Sequence, residues 1–327
     1  MDQVGVIAAT PPSADIAPGD ALVRAPRGMV RSLVETTKPG ITRLVTVTSM
    51  VGFVMGAVTG NWTIGELLVT GLICMVGTAL SAAGANSVNQ WMERERDAVM
   101  PRTQRRPLPQ GRVTPGAVLA TGVALCVAGV AVLLLAGPIP SLISLACVVS
   151  YVALYTPMKT RTTLATFVGA IPGALPPLIG WTAANKGGGF ESILEAGGLS
   201  LFAIMFIWQI PHFMAIAWMY KEDYRTGGYM VLPVVDEKGL WTALTVALWT
   251  LALIPATIFP AKVMPELLGL PYIVIAGGAA MFFGALAVRL IVTRTRSAAR
   301  AVFFASIAHL PLVLLAMTVE AVLRTLL

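Results

Sequence analysis

The chain has 327 residues, of which 56% are hydrophobic and 12% charged, and its mean hydropathy is +0.79. This composition is far too apolar for a soluble globular protein of that length, so it indicates a polytopic membrane protein. The net charge of +7 needs no nucleic-acid partner, because the sequence has no nucleic-acid-binding motif and a membrane topology explains the excess of basic residues.

Residues 1–35 are rich in Pro and Ala and lack a sustained hydrophobic period, which predicts a mobile cytoplasmic tail. Asp2 stands where a signal peptide carries basic residues, and Asp15 and Asp20 are unfavourable in a mitochondrial transit sequence. The first span is therefore expected to be its own uncleaved insertion signal. These features favour the bacterial inner membrane over the mitochondrial inner membrane.

Residues 36–327 predict one all-α domain, a bundle of nine transmembrane helices around a central cavity. Each of nine apolar stretches is long enough to cross about 30 Å of hydrocarbon. The fifth contains IPGALPPLIGW, whose prolines and glycines predict a kinked span that lines the cavity. The nine stretches cover residues 41–60, 66–92, 116–136, 138–156, 162–183, 198–220, 240–260, 268–289 and 299–323.

The distribution of basic residues predicts the orientation of these spans. If the N-terminus is cytoplasmic and the C-terminus lies outside, only Lys186, Lys262 and Arg324 of the 23 Lys and Arg residues lie outside. Short loops that carry positive charge resist translocation, so this bias supports nine spans. The long polar loops follow the second and sixth spans. We therefore expect the chemistry, and the opening of the cavity, at the cytoplasmic face.

The second predicted span ends in a polar stripe formed by Asn89, Glu93 and Asp97. A spacing of four residues places their side chains on one helix face, about 12 Å from first to last. Carboxylates at this spacing repel each other unless a cation lies between them. The stripe is therefore either a solvated helix end or a site for a hard divalent metal.

The sixth predicted span contains Gln209 and His212, three residues apart on one face. A polar side chain within a span costs several kcal/mol when it is unpaired, so both are expected to face the interior of the bundle. Lys221, Asp223 and Tyr224 follow where this span leaves the membrane.

These residues resemble signatures of the UbiA superfamily of intramembrane prenyltransferases. NSVNQWMERERDAVM (86–100) matches its first signature, and RTQRRPLP (102–109) and WQIPHF (208–213) are similar to the branch that farnesylates haem. The stretches 155–181 and 223–233 extend the resemblance. Many members carry a second aspartate-rich motif after the sixth span, where this chain has His212 and Asp223. This departure favours the haem-specific branch and leaves a second metal site open.

The resemblance implies that the farnesyl group of farnesyl diphosphate is transferred to a vinyl group of haem B, with addition of water, giving haem O and diphosphate. It implies Mg²⁺ bound by Glu93 and Asp97, with Asn89 as a further oxygen donor or a partner of the diphosphate. Arg102 and Arg106 would stabilise the charge on the leaving group. His212 and His309 are candidate axial ligands of the haem iron. The expected substrate-binding residues are Lys159, Arg161, Gln209, His212, Lys221, Asp223, Tyr224 and His309.

Two alternatives remain open at this point. A prenyltransferase of the same superfamily that acts on a quinone precursor or another aromatic acceptor would share the first signature, but would be expected to carry an aspartate pair in place of WQIPHF. A small-solute transporter would also explain nine spans with polar residues inside them. The expected partners are farnesyl diphosphate, haem B and membrane lipids, with a haem A synthase or terminal-oxidase assembly partner as a further candidate.

Overall fold

The computed structural model describes residues 28–327, which form helices and contain no strand. Nine of the helical segments in this range are long and apolar enough to cross a membrane, so the predicted all-α fold and the predicted number of spans are confirmed. The first to ninth spans are Pro39–Ala57, Ile64–Val99, Pro115–Leu134, Pro138–Met158, Ala165–Ala184, Ala196–Met219, Leu240–Val263, Leu270–Thr293 and Arg296–Leu326.

The second span is the element that carries the polar stripe. It is one continuous helix of 36 residues and extends to Val99, beyond the predicted end at residue 92. Its start is fixed by a capping box, in which Thr63 and Glu66 each bond the other's backbone N–H. At 1.5 Å per residue this helix is about 54 Å long, well over the thickness of the hydrocarbon layer. Its last turns, with Glu93 and Asp97, therefore extend past the apolar part of a membrane.

Small residues bring the second and third spans close together. A Cβ added at Gly84 would lie 2.5 Å from the backbone nitrogen of Cys126, and one added at Gly129 would lie 2.4 Å from that of Ser81. Glycine allows such backbone contact in membrane helices, where dispersion forces and not the hydrophobic effect hold helices together. The close packing keeps the stripe-bearing helix in a fixed position.

The fourth and fifth spans are irregular where they border the cavity. Ser150–Tyr155 is wound as a π-helix, a local widening that is frequent at functional sites. The fifth span consists of Ala165–Ala174 and Pro176–Ala184, because Pro176 and Pro177 lack the N–H groups that would continue the first helix. The prediction of a kinked, cavity-lining fifth span is confirmed.

The N-terminal segment differs from the predicted tail where the structure describes it. Residues 1–27 lie outside the described range, but Met29–Thr36 is a helix. Gln90 Nε2 donates to the Thr36 carbonyl at 3.0 Å, and Glu35 forms an ion pair with Arg112 at 2.7 Å. These bonds attach the segment to the second span and to the loop after it, and the mobile tail stays a prediction.

Candidate active site

A cavity of about 460 Å³ lies between the first, second, fourth, fifth and sixth spans. Apolar side chains such as Leu44, Val148 and Ile179 form most of its wall. The polar side chains concentrate at one end, where the loops that follow the second, fourth and sixth spans meet. The charged and phenolic residues of this polar end are Lys38, Glu93, Asp97, Arg102, Arg106, Tyr151, Tyr155, Lys159, Tyr224 and Tyr229.

The stripe of Asn89, Glu93 and Asp97 is buried, with relative exposures of 0%, 5% and 1%. A solvated helix end is therefore excluded. A buried charge is strongly destabilising unless it is paired, and each member of the stripe contacts one cation from outside its own helix. The contacts are Lys38 Nζ to Asn89 Oδ1 at 2.5 Å, Lys159 Nζ to Glu93 Oε1 at 2.8 Å, and Arg106 Nη1 to Asp97 Oδ2 at 2.6 Å.

Asn89 has a supporting position and does not itself line the cavity. Its Oδ1 accepts from Lys38, and its Nδ2 donates to Thr156 Oγ1 at 3.0 Å. The amide thus joins the start of the first span to the end of the fourth span. In this arrangement it orients Lys38, and its predicted role as a direct oxygen ligand of a metal or diphosphate stays a prediction.

Lys38 lines the cavity but is not among the predicted site residues, because in the sequence it reads only as a topological charge. Its backbone is in the left-handed region, with φ +49° and ψ +67°, a conformation that costs a non-glycine residue of order 1–3 kcal/mol. Burial, followed by the positive charge of Arg106, lowers the pKa of Lys38 to about 7. A strained backbone that holds a lysine of lowered pKa beside other cations indicates a site for an anion. The one sequence signal was a lysine directly before the Pro-Gly that starts the first span.

Lys159 lies in a cage of anionic and aromatic groups. Its Nζ is 4.4 Å from the ring centroid of Tyr155 and 5.9 Å from that of Tyr229. Burial lowers the pKa of Lys159, but the Glu93 carboxylate and the tyrosines outweigh burial and raise the pKa well above its usual value. Lys159 is therefore charged, and its prediction as a site residue agrees with its position. Tyr155 and Tyr229 are not among the predicted site residues, because nothing in the sequence around them distinguishes them from other tyrosines.

The donor set suits a metal that is shared with a phosphate substrate. Among residues 28–327 no group of three or more His, Cys, Asp and Glu side chains is placed to hold a metal ion by itself. Glu93 and Asp97 nevertheless supply two carboxylates at the cavity wall, and Asp97 Oδ1 is buried without a hydrogen-bond partner. Mg²⁺ is commonly bound by one or two carboxylates together with substrate phosphates and water. The residues present fit that mode of binding.

Other predicted residues line the cavity at different depths. Arg102 is exposed at the mouth, where its guanidinium lies 5.0 Å from the ring centroid of Tyr220 and 5.4 Å from that of Tyr224. Gln209 lies deeper and donates from Nε2 to the Met205 carbonyl at 2.9 Å. His212 also lines the wall. The structure thus brings Arg102, Tyr224, Gln209 and His212 to one cavity.

Four predicted substrate-binding residues are not part of the cavity wall. Arg161 is exposed, and Lys221 donates to the Asp236 carbonyl at 3.3 Å. Asp223 is not among the residues that line the cavity, and His309 is 2% exposed and packs against Phe283 with ring centroids 5.8 Å apart. Their substrate-binding roles stay predictions that this geometry does not support.

Comparison with known proteins identifies the family of this chain. The model of the UbiA prenyltransferase family matches residues 45–308. A protoheme IX farnesyltransferase of Solibacter usitatus is 43% identical over 87% of this chain and 96% of its own length, and one of Opitutus terrae is 38% identical over 88% and 93%.

Solved structures share the fold at low sequence identity. A digeranylgeranylglyceryl phosphate synthase aligns with a TM-score of 0.73 and 15% identity, covering 90% of this chain and 99% of that one. A UbiA homologue from Archaeoglobus fulgidus, bound to DMAPP and Mg²⁺, aligns with a TM-score of 0.60 and 13% identity, covering 89% and 99%. The family match and the relatives of high coverage establish the assignment: the chain belongs to the UbiA prenyltransferase family.

Proposed function

We propose that the protein transfers the farnesyl group of farnesyl diphosphate to a vinyl group of haem B, with addition of water, to give haem O and diphosphate. The observation that carries this proposal is the buried cluster of two carboxylates and three cations at the end of an apolar cavity. The cluster is suited to a diphosphate, and the cavity to its prenyl chain. The acceptor is taken from the relatives named protoheme IX farnesyltransferase. Family membership argues against the transporter alternative.

The residues of the polar end would act on the diphosphate. Glu93 and Asp97 would hold Mg²⁺, as a homologue bound to DMAPP and Mg²⁺ suggests, and the ion supplies positive charge that neutralises the diphosphate. Negative charge grows on the leaving group as the allylic C–O bond breaks. This charge would form at the polar end of the cavity, beside Lys38, Arg106 and Lys159. Because they are already fixed by protein contacts, they stabilise that charge without reorganisation.

The apolar part of the cavity would protect the allylic cation and receive the acceptor. Low water content delays capture of the cation by water, and the faces of Tyr151 and Tyr155 offer negative ring potential beside the polar end. The terminal vinyl carbon of haem B forms the new bond to the farnesyl C1 atom. The positive charge then lies on the carbon next to the porphyrin, where water adds and a proton is released. His212 is the histidine of the cavity wall and is our candidate ligand of the haem iron.

The product assay tests this function directly. Membranes that carry the protein, supplied with haem B, farnesyl diphosphate and Mg²⁺, are expected to form haem O, identified by chromatography and mass of the extracted haem. Chelation of Mg²⁺ should stop the reaction, because the leaving diphosphate would lose its main counter-charge. If the folded protein instead prenylates a quinone precursor, or moves a solute into vesicles without any prenyl product, the proposal is wrong.

We also propose the bacterial inner membrane, with the N-terminus in the cytoplasm. The support is the charge bias of the loops. Lys186→Cys and Arg105→Cys lie in exposed loops on opposite ends of the bundle, while the native cysteines lie within spans. A membrane-impermeant thiol reagent added to intact cells is expected to label position 186 and not position 105. The reverse labelling would overturn the orientation. The haem A synthase or terminal-oxidase partner stays a prediction.

A further inference from the structure

The imidazole of His212 is held between two aromatic rings. Trp208, one helical turn earlier in the sixth span, stacks on it with ring centroids 4.7 Å apart and an interplanar angle of 19°. Phe303 of the ninth span stacks with centroids 5.3 Å apart and an angle of 26°. Rings on two sides block rotation of the imidazole about its Cβ–Cγ bond. The direction of both ring nitrogens is therefore fixed.

Ser306 determines which of these nitrogens carries the proton. The Ser306 hydroxyl lies 2.6 Å from the Phe303 carbonyl oxygen, which can only accept, so its single proton is used there. The same Oγ lies 2.7 Å from His212 Nδ1 and must accept that bond. His212 therefore carries its proton on Nδ1. In the neutral ring Nε2 is then unprotonated and has a free lone pair.

The free nitrogen belongs to the wall of the reaction cavity. His212 lines the cavity, and its Nε2 has no hydrogen-bond partner among the residues that the structure describes. Ser306 is itself held in place, because Trp208 Nε1 donates to the Ser306 carbonyl at 2.8 Å. His309 offers a contrast. Both of its ring nitrogens are buried without a partner, and it lies away from the cavity.

We propose that Ser306 is a positioning residue for the acceptor. Its hydroxyl accepts a hydrogen bond from the Nδ1–H group of His212, so that the unprotonated Nε2 faces the iron of haem B. The inference rests on the proposed function. A histidine that ligates a metal almost always donates its other N–H to an acceptor, which fixes the tautomer and makes the ligating nitrogen more basic. Because the porphyrin plane is perpendicular to an axial bond, a fixed imidazole sets the tilt and depth of the haem. The reacting vinyl group is then held at a fixed depth in the cavity.

The variants Ser306→Ala, Ser306→Thr and His212→Ala separate this role from a structural one. Ser306→Ala removes only the hydroxyl and leaves the backbone carbonyl that accepts from Trp208. Ser306→Thr keeps the hydroxyl. Ser200→Ala is the matched control, because Ser200 is also buried and bonds the carbonyl three residues earlier at 2.7 Å, but does not line the cavity.

The experiment measures haem B binding to the purified full-length protein in lipid nanodiscs, by spectral titration and by resonance Raman of the ferrous complex. In Ser306→Ala the Kd for haem B is expected to rise about 10–100-fold, the usual effect of losing such a partner. The iron–histidine stretching frequency should fall, since the imidazole loses an acceptor for its N–H. The KM for farnesyl diphosphate should not change. Ser306→Thr and Ser200→Ala should behave like the wild type, and His212→Ala should lack the iron–histidine band.

The outcomes distinguish this inference from the proposed function. A wild-type Kd and an unshifted iron–histidine band in Ser306→Ala, or a retained band in His212→Ala, would overturn the inference even if the wild type makes haem O. If the wild type makes no haem O but shows the iron–histidine band and its Ser306 dependence, the proposed function fails and the inference stands.

Discussion

Glu93→Gln and Asp97→Asn are each expected to lower kcat by at least about 100-fold, or about 2.7 kcal/mol of transition-state stabilisation. Each substitution keeps the shape of the side chain and removes the negative charge that would hold Mg²⁺. The dependence on Mg²⁺ should shift to higher concentration in whatever activity remains. The measurement is haem O formation at several Mg²⁺ concentrations, with purified protein in nanodiscs.

Glu95→Gln is the matched control, because Glu95 lies between the two on the same helix but its side chain is 84% exposed. It should retain wild-type kinetics. Since Glu93→Gln leaves the Lys159 ammonium buried without its partner, loss of folding is a competing explanation. The double variant Glu93→Gln with Lys159→Met removes both charges, and it should melt near the wild-type temperature yet remain inactive. Wild-type turnover in either single variant would remove the metal role from these carboxylates.

Lys38→Met is expected to raise the KM for farnesyl diphosphate and lower kcat/KM by about 100-fold or more, since it deletes a cation that faces the leaving group in a buried site. Lys38→Arg keeps the charge and should retain part of the activity. Lys238→Met is the control, because Lys238 is exposed and lies outside the cavity wall. Kinetics of Lys38→Met equal to the wild type would show that this cation does not contact the substrate.

The pH dependence separates the charge of Lys38 from its shape. The pKa of Lys38 is lowered to about 7, so the side chain is protonated below that pH and loses its charge above it. Only the protonated form attracts diphosphate. The KM for farnesyl diphosphate should therefore rise above pH 7 in the wild type, by up to about tenfold per pH unit. Lys38→Arg should lack this rise, because arginine stays charged, while titration of the substrate itself affects both proteins equally.

The predictions from sequence that were confirmed are those that depend on local signals in the chain. Nine apolar stretches predicted nine spans because hydrocarbon thickness sets the length of each one independently of its neighbours. The spacing of Asn89, Glu93 and Asp97 predicted a common face because helix geometry needs no tertiary information. The helix Met29–Thr36 lacks such a local signal, and its contacts are with Gln90 and Arg112 far along the chain.

Site residues were harder to predict because they depend on which segments meet. Lys38 looked like an ordinary topological charge, and only the left-handed turn before Pro39 directs it to Asn89. His309 was as plausible a haem ligand as His212 in the sequence, yet packing places it against Phe283, away from the cavity.

The sequence by itself determined that this is a membrane bundle with a polar stripe on its second span and a histidine on its sixth. Composition, the length of an apolar stretch and the helical period each depend on one segment of the chain. They can therefore be recognised without knowing how the segments pack together. The tertiary structure alone decided that Lys38, Arg106 and Lys159 each contact one member of the stripe, and that Ser306 lies within hydrogen-bond distance of His212 Nδ1. All of these contacts except the one between Arg106 and Asp97 join residues more than 50 positions apart. The packing of small residues between helices decides whether such distant residues reach one another.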